Sequence, residues 1–518
     1  MRFSRAVSGS LWGCLLVGCA VGPDYHGPPP AEHGMPAKYK NAGDGNGRWK
    51  VGEPADSQSR GTWWTVFHDS SLNDLENQAT ANNQDLRIAA ARIVEARAMD
   101  RVAASQFYPD VVFAGSGVRQ RTSNTDPIQR AKLVGSNPFG GAMAAPSAPA
   151  TPGAPAAAPS SAASSSPTVL ATQPLTNTFN LFRAPLDMSW KVDLFGRVRR
   201  TYEASRAQSQ SIEKDYQNVA LSVAANVAVN YFTLRSLDAE AAILDRTIAT
   251  RKEALRIAEE RLQAGLTSEL DVARAKADLA SNEADVFALN RTRGQVENAL
   301  ATLIGKPASA LRLARRPLPA DATPPHVAAG LPSQLLERRP DVAEAERQLA
   351  AANAHIGVAR AAFFPVVKLT GEAGFESADL GLLFNWESRI WRIGPSITLP
   401  IFEGGRNVAN LGAAQARYDE AVGRYRGQVL NAFQEVETAL NDLRQLAGQA
   451  EAEGRALAAA RRSLELARQQ YEKGSVNFLD VLDAERNALA DERLTAELAG
   501  QRLQATVQLI KALGGGWH

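Results

Sequence analysis

Beyond residue 19 the chain has no cysteine: Cys14 and Cys19 are the only two in 518 residues. Disulfides, thiolate metal sites and a cysteine nucleophile are therefore excluded from everything downstream. Histidine is nearly as scarce, with six copies, and no two are spaced as ligands on one helix face. There is no Gly-x-Ser-x-Gly and no Walker-type glycine-rich loop, and Gly43-Asp-Gly-Asn-Gly47 lacks the later acidic ligand of a calcium loop. No acid–base pair, nucleophile or metal cluster stands out, so the sequence does not read as an enzyme and calls for no metal or dissociable cofactor. A net charge of +2 gives no reason to expect a nucleic-acid partner. Long hydrophobic runs are missing as well. Ala6 to Val17 is mostly apolar, but too short to span a bilayer as a mature helix.

What is present begins at that short run. Arg2 and Arg5 precede it and Leu16-Val-Gly-Cys19 follows it. This resembles the lipobox of bacterial lipoproteins. The resemblance implies a signal peptide over 1–18, and a diacylglycerol and an N-acyl chain (palmitate-type) on Cys19. Ala20 in place of Asp after that cysteine implies the outer membrane. Each buried CH₂ is worth roughly 0.8 kcal/mol, and several chains on one residue hold firmly. Residues 19–62, rich in proline and glycine, read as an extended strap from lipid to folded body.

From about Arg197 to Leu262 there is no proline, and Val219, Val223, Val227, Tyr231 and Leu234 form a helical stripe. Such a helix extends roughly 100 Å, more than a globular core needs, which points to coiled coil or repeats. A partner helix runs from about Ser268 to Ile304. Near the end of the chain, Leu482, Leu489, Ala496, Leu503 and Ile510 recur every seven residues, the spacing of left-handed coiled-coil packing.

The plan occurs twice. Asp85 and Pro109 recur as Asp341 and Pro365, an offset of 256; Gly196, Gly265, Asp271 and Gly305 recur as Gly405, Gly474, Asp480 and Gly514, an offset of 209. The difference, 256 − 209 = 47, is extra sequence in the first copy, placed in the Ala-, Pro- and Ser-rich residues 121–174. The expected organisation is repeat 1 over 63–305, a linker over 306–332, repeat 2 over 333–514 and a tail over 515–518. Gly265 and Gly474 each break two long helical patterns and read as the turns of two helical hairpins, with a helix C-cap as their simplest role.

Between the helices the period becomes two. Phe182, Ala184, Leu186, Met188, Trp190 and Val192 alternate with polar residues; so do Leu369, Gly371, Ala373 and Phe375, and Trp391, Ile393, Ile397, Leu399 and Ile401. Val111 to Val118 gives a weaker fourth segment. Segments of about ten residues with one apolar face are the signature of membrane barrel strands. Four strands cannot close a barrel, since about eight is the smallest bacterial one. An open edge cannot sit in lipid with its N–H and C=O groups unpaired. Several chains must therefore share one barrel, and three chains give twelve strands.

Taken in order, Cys19 with Pro23-Asp-Tyr25, Trp64, Phe67, Asp69 and Leu72, Asp193-Leu-Phe-Gly-Arg197, Leu336 to Asp341 with Phe364-Pro365, Pro400-Ile-Phe-Glu-Gly-Gly-Arg406 and Lys511-Ala-Leu-Gly-Gly-Gly-Trp517 carry a resemblance. The chain resembles the outer-membrane factors of tripartite efflux systems, the TolC-like superfamily, and within it the NodT-type lipoproteins that partner resistance-nodulation-division pumps. The resemblance implies a mainly helical fold with membrane β-structure: a homotrimer with a shared 12-stranded β-barrel and an α-barrel of long coiled-coil helices in the periplasm. It implies a passive export channel for small molecules, a periplasmic adaptor protein and an inner-membrane pump as partners, and an iris at the helix tips. It places Leu479, Asp480 and Asp483 at the constriction, Asp271 and Tyr471 in closed-state contacts between hairpins, and adaptor docking around Gly265 and Gly474. The family's basic companion to that lock is replaced here by Val476. The insert falls in an extracellular loop. The cargo stays open, as do a secretion-type duct for peptides or oligosaccharides and a coiled-coil spacer lipoprotein without a channel.

Overall fold

The computed structural model of the chain describes residues 20–28, 40, 61–121, 178–319, 322–325, 327 and 338–515. Cys19, the signal peptide, the Gly43–Gly47 loop and nearly all of the 121–174 insert lie outside the described residues. Two compact units emerge, and each draws on both repeats. The larger is helical; the smaller comprises 106–193 and 365–399.

In the helical unit a 3-10 turn, Trp63–Phe67, leads into α1 (Ser70–Asn82) and α2 (Gln84–Ser105). The two long helices of the first hairpin are α3 (Arg197–Gln263) and α4 (Glu269–Leu303). The second copy supplies α5 (Pro340–Ala361), α6 (Arg406–Glu472) and α7 (Phe478–Ala512). The duplication is exact in length: α2 and α5 have 22 residues each, α3 and α6 67, and α4 and α7 35. Asn83, where the sequence breaks α1 from α2, is buried. Its Oδ1 accepts from Leu86 N–H at 3.1 Å and its Nδ2 donates to Leu303 O at 2.8 Å, which fixes the joint against the end of α4.

The apolar stripe of α3 does what its spacing predicts. Val223, Val227, Tyr231 and Leu234 are buried together with Trp63, Trp64 and Leu72 in the main core, and Leu503 and Ile510 of α7 complete it. The heptad of α7 continues through Ala496 to Leu482, which lies at the tip. The stretch after α4 reads in sequence as a linker. Over residues 311–318 it is pinned instead: Arg293 donates to Leu313 O at 2.8 Å, Arg235 donates to Ala314 O at 2.9 Å, and Leu313 N–H donates to Glu297 at 2.5 Å. The first residues of the strap are also docked. Asp24 pairs with the buried Arg200 of α3 at 2.6 Å, Asn353 of α5 donates to Pro23 O at 3.0 Å, and Val21 N–H donates to Phe195 O at 3.1 Å.

The smaller unit is one antiparallel sheet. β1 (Asp110–Phe113) and β2 (Ser116–Arg121) both pair with β3 (Thr178–Val192), which pairs with β4 (Val366–Ser377), which pairs with β5 (Arg389–Thr398). β1 and β2 are one strand interrupted at Ala114 and Gly115, because a single register carries through both: Phe113 faces Leu186 and Ser116 faces Arg183. The break sits opposite Pro185, which accepts from Ala114 N–H at 3.1 Å but has no N–H to return. On its other side Pro185 faces Gly374, where a Cβ would lie 2.4 Å from Ala184 O and 2.5 Å from Pro185 Cα. The register puts Val111, Phe113, Leu186, Met188, Ala373, Trp391 and Ile393 on one face. The opposite face carries Arg183, paired to Glu372 at 2.6 Å and Glu376 at 2.9 Å, and Arg392, also on Glu372. The last strand is shorter than the alternation suggests: β5 ends at Thr398, so Leu399 and Ile401 fall beyond it, with Pro400 between them.

Candidate functional site

The two hairpin tips are built alike. α3 ends in a Schellman motif: Gly265 N–H donates to Leu262 O at 3.0 Å and Leu266 N–H to Arg261 O at 2.8 Å. α6 ends the same way, Gly474 to Tyr471 O at 2.9 Å and Ser475 to Gln470 O at 2.9 Å. Both glycines have φ of 72°, and nothing lies within 4 Å of where a Cβ would be. Backbone conformation, not crowding, demands glycine here. Both turns are exposed.

Each second helix of a hairpin then starts on a side-chain cap. Ser268 caps α4 by accepting from Asp271 N–H at 3.3 Å. Asp271 Oδ2 accepts from the hydroxyls of Thr267 at 2.9 Å and Ser268 at 3.0 Å. Partial burial alone would raise the Asp271 pKa; these hydroxyls, a backbone hydrogen bond from Ser268 and the nearby Arg274 outweigh it and hold the carboxyl below the ordinary range. α7 starts on a capping box: Asp480 N–H donates to Asn477 Oδ1 at 3.1 Å and Asn477 N–H to Asp480 Oδ2 at 3.1 Å. Asp480 thus caps its helix, the local role that its position just inside the helix start also allows from sequence.

One turn further on, Asp483 is exposed and lies 3.8 Å from Arg486 on its own helix. Leu479 is half-buried and shares a face with Asp483, four residues apart. Asp271 and Tyr471 are not hydrogen-bonded to each other in the chain. The carboxylate is satisfied within its own hairpin, and Tyr471 stacks on the first hairpin another way: the Arg261 guanidinium lies 4.9 Å from its ring centroid. Arg261 belongs to the first hairpin and Tyr471 to the second, so this contact joins the two. Phe478 sits 5.7 Å from the Tyr471 ring, and with Ala275 and Leu482 it makes a small buried cluster at the tips.

Among the described residues no three acidic, histidine or cysteine groups gather as a metal site, and no helix is long and apolar enough to cross a membrane. Comparison with known proteins then decides the kind of molecule. The profile of the family described as outer membrane efflux protein matches residues 75–306 and 331–515, nearly the whole folded chain and both repeats. The chain belongs to the outer membrane efflux protein family. It is 33% identical over 506 residues to the cation efflux system protein CusC of Escherichia coli O6:H1, covering 97% of each chain. It is 33% identical to the outer membrane protein OprJ of Pseudomonas aeruginosa, covering 99% of this chain and 96% of that one. Among solved structures, the outer-membrane channel OprN superposes with a TM-score of 0.78 at 30% identity, over 96% of this chain and all of that one. As an outer membrane efflux protein the chain acts in the outer membrane, in transport rather than catalysis.

Proposed function

We propose that three copies of the chain form one outer-membrane export duct of a tripartite efflux pump. The observation that carries this reading is the sheet. It has an exposed apolar face, with Trp391 75% and Ile393 65% accessible, and two open edges, β1/β2 on one side and β5 on the other. Open edges cannot remain in lipid. Pairing β5 of one copy with the first strand of the next closes a ring, and twelve strands from three chains exceed the minimum of about eight. The apolar face then meets lipid, and the Arg183–Glu372–Arg392 face lines the lumen.

In this assembly six hairpin tips converge at the periplasmic end. Leu479 and Asp483 face the axis, and Asp480 adds charge to the same ring while capping α7. Rings of carboxylates in a narrow pore hold cations. An adaptor protein docks around the exposed Gly265 and Gly474 turns and links the duct to an inner-membrane resistance-nodulation-division pump. The cargo is a small toxic molecule supplied by that pump. Lipid on Cys19 secures the chain, with the Asp24–Arg200 contact holding the strap close to α3.

Purified protein should have the mass of a trimer, migrate faster on gels when unboiled, and conduct ions in planar bilayers. Asp480→Asn and Asp483→Asn together should raise conductance several-fold and weaken cation preference; asparagine at 480 can still accept the Asn477 N–H, so the cap survives. A monomer without conductance would overturn the proposal.

A further inference from the structure

Ion pairs between the two hairpins of one chain are not spread evenly along them. Counting from the tips, the first is Arg486 of α7 on Asp278 of α4, at 3.0 Å. Asp278 is 5% exposed and is also contacted by Arg251 of α3, itself 4% exposed. Arg251 reaches Glu485 of α7 at 3.7 Å, and Glu485 takes Arg468 of α6 at 2.7 Å. All four long helices thus meet in a clamp around the buried Arg251 and Asp278. Above it the ladder continues: Arg246 of α3 on Glu492 at 3.1 Å, with Arg461 of α6 on the same carboxylate at 3.0 Å, and Arg493 bridging Glu240 of α3 and Asp285 of α4.

Below Asp278 the character changes. Among the described residues, no ion pair joins the hairpins there. What joins them is the Arg261–Tyr471 stack and the apolar cluster of Ala275, Phe478 and Leu482. The clamp also departs from the internal repeat. At an offset of 209 Arg251 corresponds to Ala460, Asp278 to Asn487, and Arg486 to Ala277. By contrast the pair within each hairpin is kept with its charges swapped, Glu259–Lys276 at 2.9 Å in one and Arg468–Glu485 in the other. The duplicated scaffold therefore does not require the clamp; it is an addition specific to the seam between these two hairpins.

We infer that the Arg251–Asp278–Arg486 clamp is the fulcrum of the gate: the two hairpins of a chain stay joined at and above it, and only the segments below it part. This rests on the proposal that the tips gate a channel. The physical ground is a difference in cost. Stripping one partner from a buried, paired charge leaves the other unpaired in a poorly hydrated site, whereas parting a cation–π stack and a small buried apolar cluster of Ala275, Phe478 and Leu482 exposes apolar surface but strands no buried charge. From Arg251 to Gln263 the lever arm is 12 residues, roughly 18 Å of helix. Asp278 and Arg486 are positioning residues on this account, outside the pore constriction.

Cysteine pairs in the otherwise cysteine-free mature body, joined by a short bis-maleimide in the purified full-length protein, test it. A link between Arg246→Cys and Glu492→Cys, above the clamp, should leave bilayer conductance within about twofold of the unlinked protein. A link between Arg261→Cys and Tyr471→Cys, below it, should lower conductance about tenfold. Equal loss in both would show that the seam parts along its whole length and would overturn the fulcrum. Unlinked protein that never conducts would instead refute the channel reading, and amide exchange then decides the fulcrum alone. Arg486→Ala, at a mostly exposed position that tolerates change, should speed exchange about tenfold in α4 around Asp278 as well as in α7, while Lys276→Ala should affect its own hairpin only. If Arg486→Ala leaves α4 unchanged, the two hairpins are not joined there and the inference fails.

Discussion

Glu76 is the residue most at odds with its surroundings. It lies in α1, fully buried beside Leu72, Leu75 and Ala79, and neither carboxyl oxygen has a hydrogen-bond partner among the described residues. Burial pushes its pKa up to about 9, so the folded chain keeps this carboxyl protonated at neutral pH. The sign follows from proton counting. Below about pH 4.5 both states hold the proton and Glu76 is neutral in its effect. Between there and about 9 only the unfolded state ionises, so stability falls as pH rises, by about 3 kcal/mol at pH 7 as an order of magnitude. Glu76→Gln should therefore raise the thermal midpoint at pH 8 and leave it unchanged at pH 4. Parallel pH profiles for the two proteins between pH 5 and 9 would show that the carboxyl is ionised in the fold. Asp480 is the contrasting case, a carboxylate fully used at its helix end, where alanine would cost about 1 kcal/mol of capping before any effect on a pore.

At the scale of elements, patterns with a local period were legible from the residues. The 67-residue helices follow from an unbroken stripe, the tips from two glycines, the strands from alternation, and the twofold plan from constant offsets. Features set by residues far apart in sequence were not. The gap between β1 and β2 comes from Pro185 on β3, and the sequence of the first strand itself shows only a weak alternation. The Asp278 clamp joins positions 208 residues apart, and Arg261 meets Tyr471 only because two hairpins lie side by side. The capping roles of Asp271 and Asp480 were locally encoded, but the same residues also fit a pore motif, and composition alone does not separate the two. The proline explains a testable property of the sheet. In the pair formed by Ala114 and Pro185 one of two hydrogen bonds is missing. Pro185→Ala should supply it, joining β1 to β2 and adding about 1 kcal/mol, read as a higher temperature for loss of the fast-migrating unboiled species. Gly374→Val should do the opposite, because its side chain would enter the Ala184–Pro185 backbone, and should abolish that species.

At the scale of the whole molecule, the two repeats differ chiefly in what lies between their strands. β2 ends and β3 begins as direct neighbours, with Arg121 facing Thr178, and 178 − 121 − 1 = 56 residues join them. In the second repeat 389 − 377 − 1 = 11 residues join β4 to β5, and they include two short 3-10 turns. The register on either side of the long connection is continuous, so the sheet takes nothing from its length. Loop-closure entropy grows only with the logarithm of length, and replacing 56 residues by a turn of about four gains roughly 2 kcal/mol at most. Replacing 123–176 with a short Asn-Gly turn should therefore leave trimer mass, heat-dependent migration and bilayer conductance as in the full chain, with a slightly higher thermal midpoint. Loss of the trimer in the shortened protein would mean that the insert contributes to assembly. A changed conductance with the trimer intact would mean that it acts on the outer mouth of the pore. Unchanged behaviour in both would place the specification of the proposed barrel in the four strands alone, whose alternation of apolar and charged residues and two open edges are what the proposal rests on.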